Sequence, residues 1–272
     1  MTYHALILRN PARAEATVQE FDQLGITSWC AQLIETIWPA DRREIEVMTH
    51  QLVDGAYQWL VITSVNTVRV IEQLLQGKEL PQDLRIASVG HKSSEAISRY
   101  LGRTADFQPE LQSAAGMVES WRPERDARIC YPHGDLSSST LGDWLTNLRL
   151  NVDEFIAYQT VNADSGGVAL DARLPTQEIN VLQVHEISEK LDSIDLVIFS
   201  APSVVRRFAE LVSGSIPPTL RTIAIGQPTA SALERALIPV NAVAGAPTPQ
   251  GLAQAAKDLL QLPGRPGAEE EQ

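Results

Sequence analysis

Residues 59–75 read WLVITSVNTVRVIEQLL, and residues 195–212 read DLVIFSAPSVVRRFAELV, so an apolar strand followed by an amphipathic helix occurs twice. The two copies align at a constant offset of 136 residues. The match continues from RIASVGHKSSEAISRYL at 85–101 to RTIAIGQPTASALERAL at 221–237. A repeat of this length predicts two similar domains in one chain.

Short apolar strands alternate with amphipathic helices along most of the sequence. This alternation is typical of βαβ units and predicts an α/β fold with parallel sheets covered on both faces. The predicted strands are 4–8, 27–37, 58–63, 85–89, 128–131, 152–160, 195–199, 221–225 and 239–243.

The two copies are circularly permuted relative to each other. Residues 4–37 match 127–160 in element order, so this unit comes first in one copy and last in the other. We therefore predict one discontinuous domain and one inserted domain, joined by two β-rich crossings that are expected to pair as a two-stranded hinge and followed by a disordered tail. The discontinuous domain is predicted to contain 1–33 and 163–262, and the inserted domain 39–154. The crossings are 34–38 and 155–162, and the tail is 263–272. Residues 164–185 match neither copy.

The composition excludes several classes of protein. The 272-residue chain has a net charge of −12, so its overall field does not favour nucleic acid or anionic membranes. No apolar run approaches the length of a membrane span, and the start MTYHALILRN lacks the pattern of a signal peptide. Two isolated cysteines, Cys30 and Cys130, fit a reduced compartment and predict a cytoplasmic protein.

Four loops follow a strand and open a helix, which is where ligands bind in parallel α/β sheets. Their hydroxyl groups and helix N-termini suit carboxylates or phosphates. Ser and Thr are also the favoured helix caps, and a duplication copies caps as well as sites, so both interpretations stay open. The candidate binding residues in these loops are Thr63, Ser64, Asn66, Gly90, Lys92, Ser93, Ser200, Ser203, Gly226 and Thr229.

The sequence contains no dinucleotide, phosphate-loop, zinc-protease or serine-hydrolase motif. Arg9 and Lys92 follow strands and are candidates for pairing with substrate carboxylates. His91 and His133 are interpreted as solvated loop residues rather than acid–base groups. Tyr158 is the aromatic hydroxyl expected between the domains, although packing within a strand explains it equally well.

Several segments together resemble the uroporphyrinogen-III synthase family across nearly the whole chain. Individually they are weak signals, but their order and spacing are specific. They are LILRNP at 6–11, WLVITSVNTV at 59–68, ASVGHKSSEAI at 87–97, YPHGD at 131–135, AYQTV at 157–161, VIFSAPSVV at 197–205, AIGQPTASAL at 224–233 and APTPQGLA at 246–253.

The resemblance implies two Rossmann-like, flavodoxin-like domains, one inserted in the other, and an enzyme without a cofactor or metal. It implies cyclisation of hydroxymethylbilane, a linear tetrapyrrole polycarboxylate, to uroporphyrinogen III with loss of water and inversion of ring D through a spiro-pyrrolenine. Tyr158 matches the family's candidate for assisting departure of the hydroxyl, and Ser93 and Thr229 match its cleft threonines. Hydroxymethylbilane synthase is the implied transient donor of substrate.

The sequence departs from the family's pattern at four places. Ser93 replaces the usual Thr, GQPTA replaces the commoner GPTTA, LSSSTL after YPHGD lacks the expected basic residue, and 164–185 is longer than expected. Two other classes fit the two-domain pattern: a two-lobed protein that binds a small anion without chemistry, and a glycosyltransferase. The isomer formed from hydroxymethylbilane, or binding of a nucleotide sugar, distinguishes them.

Overall fold

The structure is a computed structural model that describes residues 2–148, 150–213 and 216–262. The described residues form eleven strands and ten α-helices. In chain order these are β1 Tyr3–Leu8, α1 Pro11–Asp22, β2 Ile26–Cys30, β3 Ile34–Ile37, α2 Arg43–Val53, β4 Trp59–Ile62, α3 Val65–Leu75, β5 Arg85–Ser88, α4 His91–Leu101, α5 Ala114–Ser120, β6 Arg128–Gly134, α6 Thr140–Asn147, β7 Asn151–Asn162, β8 Asn180–Val181, α7 Ile187–Lys190, β9 Leu196–Phe199, α8 Pro202–Val212, β10 Arg221–Ala224, α9 Gln227–Arg235, β11 Ala242–Val243 and α10 Pro249–Leu260.

The chain divides into two compact units. The first unit contains the residues up to Glu35, Asn162–Gly166 and the residues from Ala172 onward. The second unit contains Thr36–Val161 and Gly167–Asp171. The first unit is thus discontinuous in sequence. The predicted tail at 263–272 lies outside the described residues.

The first unit is built on a parallel sheet in the order β11-β10-β9-β1-β2-β8. The strands pair in parallel throughout, for example Leu6 with Trp29 on β2 and Leu6 with Val197 on β9. Two apolar clusters lie on opposite faces of this sheet, one containing Phe199 and Phe208 and the other containing Phe21. Strands buried on both faces explain the continuous apolar runs in the sequence.

The second unit has a five-stranded sheet in the order β3-β7-β6-β4-β5, in which β5, β4, β6 and β7 are parallel. The order β7-β6-β4-β5 corresponds to β2-β1-β9-β10 of the first unit, with the chain entering at a different strand. The predicted α/β class with two parallel sheets is therefore confirmed, and the permutation seen in sequence matches the strand orders.

The repeat extends to the starts of two helices. The Ser113 side chain accepts from the Gly116 amide of α5, and Thr248 accepts from the Gly251 amide of α10, each at 3.1 Å. A Cβ atom at Gly116 would lie 1.9 Å from the Leu111 carbonyl oxygen, and one at Gly251 would make the equivalent backbone clash. Both helix starts therefore require glycine at the same position.

Two expectations from the sequence are wrong. The single strand predicted over 27–37 is two strands, β2 and β3, in different sheets. At the break between them, the Gln32 side chain accepts from the Asn10 side chain and donates to the Ile34 carbonyl. The strand predicted at 239–243 shrinks to β11: Pro239 has no amide proton for a ladder, and the Thr222 amide of β10 donates to the Asn241 side chain.

The unassigned segment 164–185 is shared between the two units. Within the second unit the Leu170 amide donates to the Thr36 carbonyl, and the Trp38 amide donates to the Val168 carbonyl. Farther along, β8 pairs with β2 at the edge of the first unit's sheet. The segment therefore adds an edge to each unit, which its unpatterned sequence did not predict.

Candidate active site

Each sheet has one point at which the strand order reverses. In the first unit the reversal lies between β1 and β9, and in the second it lies between β6 and β4. The crevice outside the carboxyl ends of the strands at such a reversal is the usual ligand site of a doubly wound sheet. The residues there include Arg9 and Ser200 in the first unit, and Thr63, Ser64 and Gly134, the last residue of β6, in the second.

Tyr158 lies on β7, next to the end of β6. Its side chain is buried, and its ring covers the backbone of Gly134. A Cβ atom at Gly134 would lie 2.5 Å from Tyr158 Cε2 and 2.8 Å from its hydroxyl oxygen. The Asp135 amide also donates to the Tyr158 carbonyl oxygen at 3.1 Å. A side chain larger than glycine at position 134 would therefore displace this ring.

The Tyr158 phenol stays protonated over the neutral pH range. Burial raises its pKa above the ordinary value, and the nearby Asp135 carboxylate raises it further. The Ser64 side chain acts against both and lowers the pKa of Tyr158. The group is thus a hydrogen-bond donor beside the strand reversal, as a role in assisting a leaving hydroxyl requires.

Thr63 and Ser64 each lower the pKa of a different tyrosine. Burial is the main cause that raises the pKa of Tyr131 to about 12, and the Thr63 side chain acts against it by lowering this pKa. Ser64 caps α3 by accepting from the Asn66 amide at 3.0 Å. The predicted Asn66 therefore contributes its amide to the cap, and its side chain is half-buried.

The second loop of this unit opens α4. Gly90 precedes the helix without a capping side chain, Ser93 is buried, and Lys92 is exposed. The His91 amide is occupied, because it donates to Gln112 Oε1 at 2.9 Å. This helix start therefore offers fewer open donors than the sequence predicts.

Arg9 and Ser200 lie at the reversal of the first unit. Arg9 is half-buried, and its pKa is lowered mainly by burial and then by the neighbouring Arg13 charge. A bound carboxylate would offset both effects. The Ser200 hydroxyl donates to the Leu8 carbonyl at 2.7 Å, so it links β9 to β1 across the reversal. Its proton is thereby used within the protein.

Ser203, Gly226 and Thr229 belong to the starts of α8 and α9. Neither helix has a side chain that caps its first amides. Gly226 is extended, and no atom lies within 4 Å of the position a Cβ would take, so the space before α9 is open. Thr229 is buried, and Ser203 is half-buried. These two helix starts are suited to binding anionic groups.

One predicted role is wrong. His133 is not a solvated loop residue: it is 8% exposed, at the end of β6. Its Nε2 atom lies 2.8 Å from Glu154 Oε1, and its ring centroid lies 4.7 Å from that of Tyr131. His91, by contrast, is exposed as expected, beside Glu95.

Sequence reasoning missed Gly134, Asp135 and Gln112. The first two stand in the YPHGD segment, whose glycine after a strand was the available signal. The Gln112 side chain accepts a hydrogen bond from the His91 amide, 21 residues away, and no sequence pattern links the two.

A cavity of about 470 Å³ opens in the first unit beside the ends of β1, β2 and β8. It contains none of the predicted binding residues. Among the residues that line it are Pro11, Gln32, Glu35, Asp164, Gln183 and His185.

Over the part of the chain that the structure describes, no group of three or more metal-binding side chains is found. Within the same residues, no helix combines the length and apolar character needed to cross a membrane.

Comparison with solved structures gives the same two-unit fold. A mutant uroporphyrinogen III synthase from the extremely thermophilic bacterium Thermus thermophilus has a TM-score of 0.69 and 16% identity, over 95% of this chain and 99% of that one. Uroporphyrinogen-III synthetase from Helicobacter pylori has a TM-score of 0.54 and 15% identity, over 95% of this chain and 100% of that one. At these identities the likeness supports the fold alone.

Comparison with curated protein sequences finds no significant match. The family model described as Uroporphyrinogen-III synthase HemD, however, matches residues 15–254, which is most of the chain. The chain therefore belongs to the uroporphyrinogen-III synthase family, a family of lyases that act in porphyrin biosynthesis.

Proposed function

We propose that this enzyme converts hydroxymethylbilane to uroporphyrinogen III and water, with inversion of ring D through a spiro-pyrrolenine. The observation that carries the proposal is a buried, protonated phenol, Tyr158, beside the strand reversal of the second unit. Family membership supports the overall reaction, and the phenol supports the step in which the hydroxyl leaves.

Tyr158 acts in that step as the donor to the departing hydroxyl. The C–O bond breaks with its electrons moving to oxygen, the oxygen takes the phenol proton, and water leaves behind an azafulvenium cation and a phenolate, which regains the proton that the pyrrole carbon loses when the macrocycle closes. Ring D then attacks through its substituted carbon, and the spiro intermediate rearranges before the macrocycle closes. A donor that meets the oxygen as its negative charge develops stabilises the transition state more than the ground state.

Candidate residues at the other helix starts, together with two basic side chains, bind the substrate's carboxylates. The uncapped starts of α8 and α9 supply amide donors, and Ser93, Thr229 and Ser203 supply hydroxyls. Arg9 and Lys92 supply positive charge. Each helix start contributes about 0.3–1 kcal/mol when exposed, so affinity comes from several modest contacts. Such contacts hold a flexible chain in one shape, and positioning of this kind accelerates a cyclisation.

The crossings at 34–38 and 155–162 are proposed to act as a hinge during substrate entry. β3 and β7 belong to the two crossings and are neighbours in one sheet, which supports pairing between the crossings. We also propose that the enzyme acts in the cytoplasm, where hydroxymethylbilane synthase would be the transient donor of substrate. The free, buried thiols of Cys30 and Cys130 are consistent with a reducing compartment.

The test is incubation with hydroxymethylbilane followed by separation of the uroporphyrinogen isomers. Spontaneous closure leaves ring D uninverted, so the control without enzyme reports that background. An excess of the inverted isomer over the control is expected. An isomer ratio equal to the control, from folded protein, would refute the proposal, and saturable substrate binding without turnover would favour a binding protein instead.

A further inference from the structure

Strand β7 continues past the end of β6, and Tyr158 lies at the place where the ladder between the two strands ends. In this ladder His133 pairs with Ile156 and Gly134 pairs with Tyr158, so β7 has one extra residue, Ala157, at this point. An extra residue of this kind re-aims the side chain beside it, but it also interrupts the hydrogen bonds of the ladder. An anchor on the far side of Tyr158 would therefore fix the backbone that carries the phenol.

Asp135, the residue that follows β6, supplies such an anchor with two hydrogen bonds. Its backbone amide donates to the Tyr158 carbonyl oxygen at 3.1 Å. Its side-chain Oδ1 atom accepts from the Thr160 amide at 2.9 Å. In a parallel ladder one residue bonds in this way to two residues of the next strand, donating from its amide and accepting at its carbonyl. The Asp135 carboxylate thus takes the place of a backbone carbonyl and prolongs the ladder past Tyr158.

We propose that Asp135 is a positioning residue for the proposed reaction: its carboxylate fixes the end of β7 so that the Tyr158 phenol is aimed at the leaving hydroxyl. This inference rests on the proposed role of Tyr158 as the donor to that hydroxyl. The backbone of Tyr158 is held by the pairing with Gly134 on one side and by the bond to Thr160 on the other. A shift of about 1 Å in a catalytic group lowers the rate by up to about 100-fold, so a strand end fixed in this way affects turnover.

Stabilisation of the fold is the alternative role for such a bond, and the second unit contains a matched example of it. The Asp106 amide donates to the Ile86 carbonyl at 2.8 Å, and the Asp106 carboxylate accepts from the Ile86 amide at 2.7 Å. Asp106 and Asp135 are both exposed. Ile86 lies early in β5, before the carboxyl end of the strand where the proposed binding residues follow. Asp106→Ala therefore measures what the loss of such a bond alone does to folding and turnover.

The experiment compares Asp135→Ala, Asp135→Asn and Asp106→Ala, each with and without Tyr158→Phe. Asparagine removes the charge of Asp135 but keeps a side-chain oxygen that accepts from the Thr160 amide. Alanine removes the charge and the acceptor together, so an effect of the charge alone would be the same in both variants. Each variant is measured for kcat and KM on hydroxymethylbilane and for its unfolding temperature.

We expect Asp135→Ala to lower kcat about five- to tenfold with KM within about twofold of wild type, because the phenol is misplaced while the binding groups remain. Asp135→Asn should restore kcat to within about twofold of wild type, since the acceptor is retained. Asp106→Ala should lower the unfolding temperature without changing kcat. In the Tyr158→Phe background, Asp135→Ala should lower kcat no further, because its effect passes through the phenol.

A wild-type kcat in folded Asp135→Ala would overturn the proposal. An asparagine variant as slow as the alanine variant would also overturn it, as would an equal loss of kcat from Asp135→Ala in the Tyr158→Phe background. These three results leave the proposed role of Tyr158 intact. A wild-type kcat in Tyr158→Phe, by contrast, would refute that role and the role of Asp135 with it.

Discussion

Substitution of Gly134 by alanine tests the packing that fixes Tyr158. The added Cβ would lie 2.5 Å from Tyr158 Cε2 and 2.6 Å from Cζ, whereas carbon atoms pack at about 3.5–4 Å. The ring must therefore move by about 1 Å. Overpacking of this kind costs about 1–3 kcal/mol of stability. A displacement of about 1 Å in a catalytic group lowers kcat by up to about 100-fold.

The assay combines urea unfolding with kcat on hydroxymethylbilane. Gly245→Ala is the matched control, because no atom lies within 4 Å of its added Cβ. In a Tyr158→Ala background the ring is absent, so Gly134→Ala should then cost almost nothing, which gives a coupling of about 1–3 kcal/mol. An equal destabilisation by Gly134→Ala with and without the ring would refute this reasoning.

Two other predictions concern stability. Tyr131 has a pKa of about 12, above its unfolded value of 10.0, so it contributes stability below pH 10 that is lost as pH rises toward 12. In Tyr131→Phe, the decrease in the free energy of unfolding between pH 9 and 12 should be smaller by about 2–3 kcal/mol. Urea unfolding followed by circular dichroism at each pH measures this decrease. The same pH dependence in the variant and in wild type would contradict the prediction. Ser200→Ala removes the 2.7 Å bond to the Leu8 carbonyl and should lower the free energy of unfolding by about 0.5–1.5 kcal/mol, and an unaltered urea midpoint would argue against that bond.

The architecture followed from sequence because its signals are local. Strands β4 and β9 are apolar throughout, as expected when both faces of a parallel sheet are covered. The helix that follows each strand carries an apolar stripe, and α8 begins with a proline that suits the first helical position. The permutation was visible for the same reason, since each repeated piece is a contiguous stretch.

The site was only partly predictable, because its contacts join strands that are distant in sequence. Ser64 and Tyr158 were identified individually, but the influence of Ser64 on the pKa of Tyr158 depends on β4, β6 and β7 being neighbours. Gly134 and Ser200 show the same limit: one supports the ring, and the other bonds to the backbone of β1 instead of offering its proton to a ligand. Strand order sets these contacts, and no local pattern encodes it.

The most direct test is single-turnover kinetics of Tyr158→Phe and wild type, with the isomers separated at each time and the spontaneous reaction subtracted. If the binding groups fold the substrate and Tyr158 assists departure of the hydroxyl, the variant should be at least about tenfold slower. Its enzyme-dependent product should still be the inverted isomer. A rate equal to wild type, or a slower reaction whose enzyme-dependent product has lost inversion, would contradict this division of roles.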